Sequence, residues 1–279
     1  MSHLVPTSRL NLRDFTPARV SLPTAGHSIV TTEVLNFQLA HALARDAVHA
    51  PFHVPAFAQR LNTELPILTE AFILVLQLRT NAPNRTSYLR QPILGRTLHP
   101  DSAAQLQRAS SDLAIIIADG LSALAVERNA IPLLANLLPQ LLVAGWTIAP
   151  LTLVQQGRVA IGDPIGFHLG ASLSLVLIGE RPGLSSPHSL GAYLTWHPHP
   201  DRTDADRNCL SNIGDGGLSP ESASARLLWY LQAARTRQIT GTSLKDDSIE
   251  LKQPRHLQRA RLPSGRRADS EPDRQKRRD

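Results

Sequence analysis

The feature that most constrains this chain is an alternation, between residues 113 and 237, of short runs of β-forming residues with longer amphipathic helical segments. Because a strand–helix–strand crossover places neighbouring strands parallel, this alternation favours an α/β fold with a parallel sheet. We therefore predict a Rossmann-like or flavodoxin-like parallel sheet core, preceded by an N-terminal helical region and flanked by disordered termini. The predicted strands are residues 113–118 (LAIIIA), 147–154, 173–178 (LSLVLI) and 191–196.

Capping residues and prolines mark the helices between and after these strands. Residues 121–145 predict helix, with Pro132 starting a second piece, because proline is favoured in a first turn. Asp163, followed by a proline, predicts the N-cap of a short helix that stops at Gly170. A last amphipathic helix is predicted over residues 219–237, which begin with Ser-Pro.

The N-terminal region is predicted to be mainly helical. Residues 32–49 place apolar side chains at helical spacing, and residues 55–62 predict a second helix. Residues 68–78 (LTEAFILVLQL) form a continuous apolar run, which periodicity alone cannot assign. That run is therefore either a strand or a buried helix.

The excess of positive charge lies entirely in the C-terminal tail. Residues 252–279 hold 10 Lys and Arg against 4 acidic residues, whereas residues 1–251 hold 19 of each sign. A body that is neutral and only 4% aromatic argues against a nucleic-acid-binding domain. The predicted organisation is a flexible N-terminal arm at 1–28, a mainly helical region at 29–100, the sheet domain at 101–247 and a disordered basic tail at 248–279.

Cysteine content and hydropathy indicate the compartment. Cys209 is the single cysteine, which excludes an internal disulfide and a multi-cysteine zinc site. No stretch approaches the roughly 18 consecutive apolar residues of a membrane span, and the first residues lack the apolar run of a signal peptide. A cytoplasmic protein without membrane contact is expected.

Open α/β sheets bind ligands at the carboxyl ends of their strands. Three loops follow predicted strands at that edge, and a fourth loop at 206–212 follows the last strand. None of them is a G-x-G-x-x-G turn or a Walker lysine loop, so the common nucleotide sites are not indicated. The three loops are residues 119–122 (DGLS), 156–159 (QGRV) and 179–186 (GERPGLSS).

Several long blocks of this sequence resemble the small subunit of ethanolamine ammonia-lyase. The resemblance runs from about residue 17 to residue 247, through loops at the predicted ligand edge. Many ordered blocks make a chance match improbable. The blocks are LAHALARDAVH (39–49), RTSYLRQPILGRTL (85–98), IADGLSALAV (117–126), QGRVAIGDPIG (156–166), IGERPGLSSPHSLGAYLTW (178–196) and DADRNCLSNI (204–213).

The resemblance implies a cobalamin-binding function for the 101–247 domain. In that family a Rossmann-like lobe pairs with a larger barrel subunit, and adenosylcobalamin lies between them. Cobalt–carbon homolysis starts a radical reaction that converts ethanolamine to acetaldehyde and ammonia. The implied assembly is a cytoplasmic hetero-oligomer, which some relatives enclose in a bacterial microcompartment. Because substrate-contacting groups belong to the large subunit, no catalytic residue is expected in this chain.

The family motifs carry three cofactor-binding positions over to this sequence. They are Val159 in GRVAIGD, Glu180 in GERPG and Cys209 in NCLSNI. Apart from the resemblance, Val159 would be a core residue, Glu180 a loop or capping carboxylate, and Cys209 a small buried hydrophobe. Apolar walls with a few polar groups suit a corrin ring and its amide-bearing rim.

Histidine and serine patterns suggest weaker alternatives. His197 and His199 lie near His188, but the spacing suits a surface turn and no third ligand is apparent, so no metal site is predicted. The D-x-H-x-x-G pattern is absent, which agrees with cobalamin that keeps its own base as the axial ligand (base-on). A hydrolase using Ser185 or Ser186 with His188 would lack the G-x-S-x-G turn. A purely structural subunit remains the other alternative.

Overall fold

A computed structural model describes residues 12–16 and 18–246 of the chain. By its internal contacts the chain divides into Met1–Lys245 and Asp246–Asp279, and the second unit is described only at Asp246. The predicted basic tail at 248–279 therefore lies outside the described residues. The predicted N-terminal arm is described in part, and it contains a 3-10 turn at Leu12–Asp14 and the first of two short strands.

The described residues of the first unit form eight strands and eight α-helices. The strands are β1 Thr24–Ala25, β2 Ser28–Ile29, β3 Val75–Arg79, β4 Ser111–Ala118, β5 Leu151–Gln155, β6 Ala171–Gly179, β7 Leu190–Trp196 and β8 Arg207–Ile213. The helices are α1 Thr31–His49, α2 Val54–Glu64, α3 Ile67–Glu70, α4 Arg85–Arg90, α5 Pro100–Ala103, α6 Ala123–Val143, α7 Gly162–Leu169 and α8 Pro220–Arg237.

Six of these strands form one mixed sheet, in the order β3-β5-β4-β6-β7-β8. The first four are parallel, whereas β7 pairs antiparallel with β6, and β8 antiparallel with β7. The α/β fold class is confirmed. The expectation that residues 191–196 continue a parallel sheet is wrong, because a short loop joins β6 directly to β7 without the crossover that a parallel neighbour needs.

Strand β4 shows why the core forms here. All its residues from Leu113 to Ala118 are fully buried, since helices cover both faces of the sheet. Leu113, Ile115 and Ile117 pack in the cluster that contains α2, α6 and α8, whereas the alternate residues face α7. The apolar run LAIIIA is thus a central strand, as predicted.

Helix α6 is continuous, which corrects the prediction that Pro132 starts a second piece. Both Pro132 and Pro139 lie inside the helix. Pro132 is exposed, so the carbonyl left without its helical partner can reach water. Buried leucines on the opposite face, among them Leu133 and Leu137, hold the helix on the sheet.

The apolar run at residues 68–78, which periodicity could not assign, forms parts of two elements. Its first part forms α3, and its second part forms β3 at the edge of the six-stranded sheet. The helices predicted at 32–49 and 55–62 are α1 and α2. Within the described residues, none of the helices has the length and apolar character needed to cross a membrane.

Candidate functional site

The chain reverses its direction of winding beside β4. From β4 it passes through α6 to β5 on one side, and then through α7 to β6 on the other side. At such a switch point the loops after the two central strands diverge and leave a crevice at the carboxyl edge. The loops after β4 and β6 are residues 119–122 and the start of the 179–186 loop, two of the three predicted ligand loops.

Glycines bring these two loops into backbone contact below the crevice. The amide of Leu121 donates to the Gly179 carbonyl oxygen at 2.9 Å. Gly120 has a left-handed backbone (φ +55°), and a Cβ there would lie 2.2 Å from that same oxygen. A Cβ on Gly179 would lie 2.0 Å from the Ser122 carbonyl oxygen. The floor of the crevice is therefore closed by backbone atoms and held in one arrangement.

Above this floor lies an open cleft of about 390 Å³. Val159 and Glu180, two of the three predicted cofactor positions, line it. Cys209 does not line the cleft, but it is in register with Tyr193, which does. The lining residues are Tyr88, Gly120, Leu121, Arg158, Val159, Ile178, Gly179, Glu180, Arg181 and Tyr193.

The Glu180 carboxylate ties the loop after β6 to the two antiparallel strands. It accepts hydrogen bonds from the hydroxyls of Ser189 and Ser211, and from the backbone amide of Asn212 at 3.1 Å. The amide of Glu180 also donates to the Ser189 carbonyl oxygen at 2.9 Å. The Glu180 side chain is therefore held in place at the cleft. It is neither a freely solvated loop carboxylate nor a helix cap.

Cys209 lies in β8, which corrects the prediction that residues 206–212 form a loop. Because β7 and β8 are antiparallel, Cys209 pairs across the sheet with Tyr193. The thiol reaches solvent. Desolvation by the surrounding protein nevertheless raises the pKa of the Cys209 thiol, and burial also raises the pKa of Tyr193. Both groups are therefore neutral near pH 7.

A stack of three side chains on the other wall was not found from the sequence. The Tyr88 ring is fully buried, between the guanidinium carbons of Arg85 at 4.9 Å and Arg158 at 4.2 Å from its centroid. Its hydroxyl donates to the Gly157 carbonyl oxygen at 2.9 Å. Arg158 Nη2 donates to the Tyr88 carbonyl oxygen at 3.1 Å. Arg85 and Tyr88 belong to the block RTSYLRQPILGRTL, whose local pattern predicts no binding or catalytic role.

Asp119 joins this stack to the central strand. Its carboxylate is buried and accepts from the Gly157 amide at 3.1 Å. Arg85 Nη1 lies 3.4 Å from the other carboxylate oxygen and donates to the Gly120 carbonyl at 2.8 Å. Burial raises the pKa of Asp119 to about 6, although Arg85 and three backbone amides act in the opposite direction. The loops after β4 and β5 are thus linked through one buried acid.

The contribution of Asp119 to stability is expected to fall as pH rises from about 4 to above 6. Its ordinary pKa of 3.8 rises to about 6 in the folded chain, so in this window the folded chain holds a proton that the unfolded chain has released. Urea unfolding of the wild type and of Asp119→Asn tests this. The difference between their unfolding free energies should change by roughly 2 to 3 kcal/mol across this window, since the pKa rises from 3.8 to about 6 and one pKa unit corresponds to about 1.36 kcal/mol. A difference that is independent of pH would contradict it.

The histidines and serines outside the cleft show no catalytic arrangement in the described part of the chain. The rings of His197 and His199 are 5.9 Å apart, and the described residues contain no group of three or more side chains suited to a metal ion. His188 Nδ1 is buried without a hydrogen-bond partner there. In a hydrolase triad this atom bonds to a carboxylate while the other ring nitrogen bonds to the serine, so His188 lacks the orienting partner that a base for Ser185 or Ser186 would need.

The chain as a whole matches the family model described as ethanolamine ammonia-lyase light chain, over residues 7–245. Curated relatives named ethanolamine ammonia-lyase small subunit match with similar extent. That of Azotobacter vinelandii is 48% identical over 243 residues, covering 85% of this chain and 87% of the relative. That of Bradyrhizobium diazoefficiens is 49% identical over 253 residues, covering 89% of this chain and 94% of the relative. This chain belongs to the ethanolamine ammonia-lyase light chain family.

Membership in the ethanolamine ammonia-lyase light chain family confirms the resemblance stated from the motifs. The relative from Pseudomonas putida KT2440, 47% identical over 257 residues, carries the same name and is covered to 92%. The match spans both walls of the cleft, from Tyr88 to Tyr193. The residues that line the cleft therefore all lie in the part of the chain that matches the family.

Proposed function

We propose that this chain is the small subunit of an adenosylcobalamin-dependent ethanolamine ammonia-lyase, which binds the cofactor together with a large barrel subunit in a cytoplasmic complex. One observation carries the proposal. Val159 and Glu180, from family motifs far apart in sequence, line one cleft, and the motif of Cys209 runs along β8 to Ser211 and Asn212, which bond to Glu180. The cleft lies at the switch point of the sheet, where α/β folds bind ligands.

The residues present fit a corrin. Val159, Leu121 and Ile178 supply apolar surface for the face of the ring, and Glu180 and Arg181 supply polar atoms for its amide-bearing rim. The cleft is open, and its volume of about 390 Å³ is suited to part of such a ligand. A ligand much larger than the cleft needs a second protein surface to bind its remaining atoms. A large subunit that covers the open side of the cleft would supply that surface.

The role of this chain is to bind and orient. When bound, adenosylcobalamin supplies a radical by cleavage of its cobalt–carbon bond. Glu180, fixed by Ser189 and Ser211, would accept hydrogen bonds from cofactor amides. Val159 and the neutral ring of Tyr193 would exclude water from the contact. The residues that line the cleft include no histidine, so this chain would hold the cofactor through Val159, Glu180 and the other lining residues rather than through an imidazole.

Replacing Glu180 by alanine is expected to raise the dissociation constant of cobalamin several-fold to tenfold. A lost hydrogen bond costs about 0.5 to 1.5 kcal/mol, and 1.4 kcal/mol is tenfold in affinity. Cobalamin titration of the reconstituted complex measures the change, after circular dichroism confirms folding. Glu70→Ala, an exposed glutamate in α3, is the matched control and should leave the affinity unchanged.

Replacing Cys209 by tryptophan is expected to weaken cobalamin binding more than Glu180→Ala does. A large ring beside Tyr193 would occupy space that a closely packed corrin needs. Cys209→Ser, which keeps the volume, should bind cobalamin as the wild type does. If Glu180→Ala and Cys209→Trp both retain wild-type cobalamin affinity in a folded complex, the cleft is not the cofactor site.

A further inference from the structure

Helix α1 presents an apolar stripe that the described part of the chain does not cover. Leu35, Leu39 and Leu43 recur every four residues, so they lie one above another on a single face. They are 58%, 61% and 53% exposed. In the whole helix only Ala44 and Ala47 are buried. We refer to the three leucines as the leucine stripe.

The C-terminal end of α1 is attached to the candidate cofactor site. Arg85 Nε donates to the Val48 carbonyl oxygen, in the last turn of α1, at 2.7 Å. The same guanidinium donates to the carbonyl of Gly120, which lines the cleft. This end of the helix is therefore held directly beside the cleft.

The N-terminal end of α1 meets the loop that carries Glu180. Glu33 and Asn36 line one groove with Leu184 and Ser185, which follow β6. Since one end is linked through Arg85 to the loop after β4 and the other shares a groove with the loop after β6, α1 lies on the ligand side of the sheet. The leucine stripe therefore lies on a helix that is linked at both ends to loops bordering the cleft.

We propose that the large subunit docks on the leucine stripe of α1 when it closes over the cleft. This rests on the proposed function, because a cofactor shared between two chains requires the partner to cover this edge. The basic tail is poorly suited to cover the stripe instead, since residues 252–279 contain 10 Lys and Arg but only two leucines. Contact with the leucine stripe would remove apolar surface from water, which stabilises the complex with the large subunit.

The test is assembly of the co-expressed two-chain complex with Leu35→Gln, Leu39→Gln and Leu43→Gln combined. Glutamine keeps helix propensity, and the side chains are exposed, so the fold of this chain should not change. We expect the concentration needed for half-assembly to rise at least tenfold. The control pair is Leu74→Gln with Val143→Gln, at positions 65% and 91% exposed at the opposite edge of the sheet, and it should assemble normally.

Hydrogen exchange provides a second measurement without mutation. Backbone amides of α1 should exchange more slowly in the wild-type complex than in the isolated chain. Unchanged exchange in α1, or assembly of the triple variant at wild-type concentration, would overturn the proposal. So would a dimer of the isolated chain that the triple variant loses while its assembly with the large subunit persists. Faster α1 exchange after removal of residues 1–11 or 247–279 would identify a segment of this chain as the occupant instead.

Failure of this proposal is distinguishable from failure of the proposed function. Once assembled at high concentration, the triple variant should bind cobalamin with wild-type affinity, because its substitutions lie outside the cleft. If the wild-type complex assembles through the leucine stripe but binds no cobalamin, the docking surface stands and the cofactor assignment fails. If the triple variant assembles without impairment and binds cobalamin normally, the cofactor assignment stands and the docking surface fails.

Discussion

Supplied with adenosylcobalamin and ethanolamine, this chain on its own is expected to release no acetaldehyde above background. The proposed reaction needs a second chain that holds ethanolamine near the radical and covers the open side of the cleft. The walls of the cleft, Val159 and Glu180 among them, are suited to hold a cofactor and include no assembled acid–base pair for a substrate. Adding the large subunit should restore turnover, so the expected effect is loss of essentially all activity.

A coupled assay with an aldehyde-reducing enzyme measures acetaldehyde release over time. The large subunit alone is the matching control, and it too should be inactive. Mixing the two at increasing ratios should give activity that saturates at a fixed stoichiometry. Acetaldehyde release by the isolated chain at a rate comparable to that of the mixture would show that the subunit assignment is wrong.

The second large effect is expected from a buried ion pair away from the cleft. Arg207, at the start of β8, donates to both carboxylate oxygens of Asp163, at 2.6 and 2.7 Å. Both side chains are almost completely buried. Burial raises the pKa of Asp163, and Arg207 acts in the opposite direction. Without the guanidinium, the folded state would contain a buried carboxylate with no opposite charge beside it, which is strongly unfavourable.

Arg207→Met is therefore expected to lower the free energy of unfolding by about 3 to 5 kcal/mol. For a chain of this size the melting temperature should fall by on the order of 10 °C. Urea unfolding followed by circular dichroism measures the change. Cobalamin affinity of the remaining folded complex should change little, because neither residue lines the cleft.

A second partner of Arg207 provides the internal control. Asp204 lies 3.5 Å from Arg207 Nε, but its side chain is 88% exposed. Because the Asp204 carboxylate stays in solvent, its removal should cost no more than about 1 kcal/mol, and Asp204→Ala should unfold nearly as the wild type does. Asp163→Ala, by contrast, should be strongly destabilising. Equal effects of Asp163→Ala and Asp204→Ala would show that burial of the pair does not determine its importance.

Local sequence patterns are sufficient to predict those elements whose conformation depends on residues nearby in the chain. The run LAIIIA is β4 because β-branched apolar side chains suit a strand buried on both faces. Ser219 caps α8, accepting from the Ser222 amide at 3.2 Å, as its place before the proline predicts. Val159 and Glu180 follow from the motifs around them, and the structure places both at the cleft.

Pairing across long sequence separations cannot be predicted from local patterns. Whether a strand runs parallel or antiparallel depends on which neighbour it meets, so local patterns give β7 the wrong direction and miss β8. They also predict Asp163 as a helix cap, yet α7 begins at Gly162, and Asp163 pairs with a residue 44 positions away. The sequence by itself determined the fold class, the family and the motifs at the ligand edge. The tertiary structure alone decided which charges are buried together and which side chains meet, because these depend on contacts between distant residues.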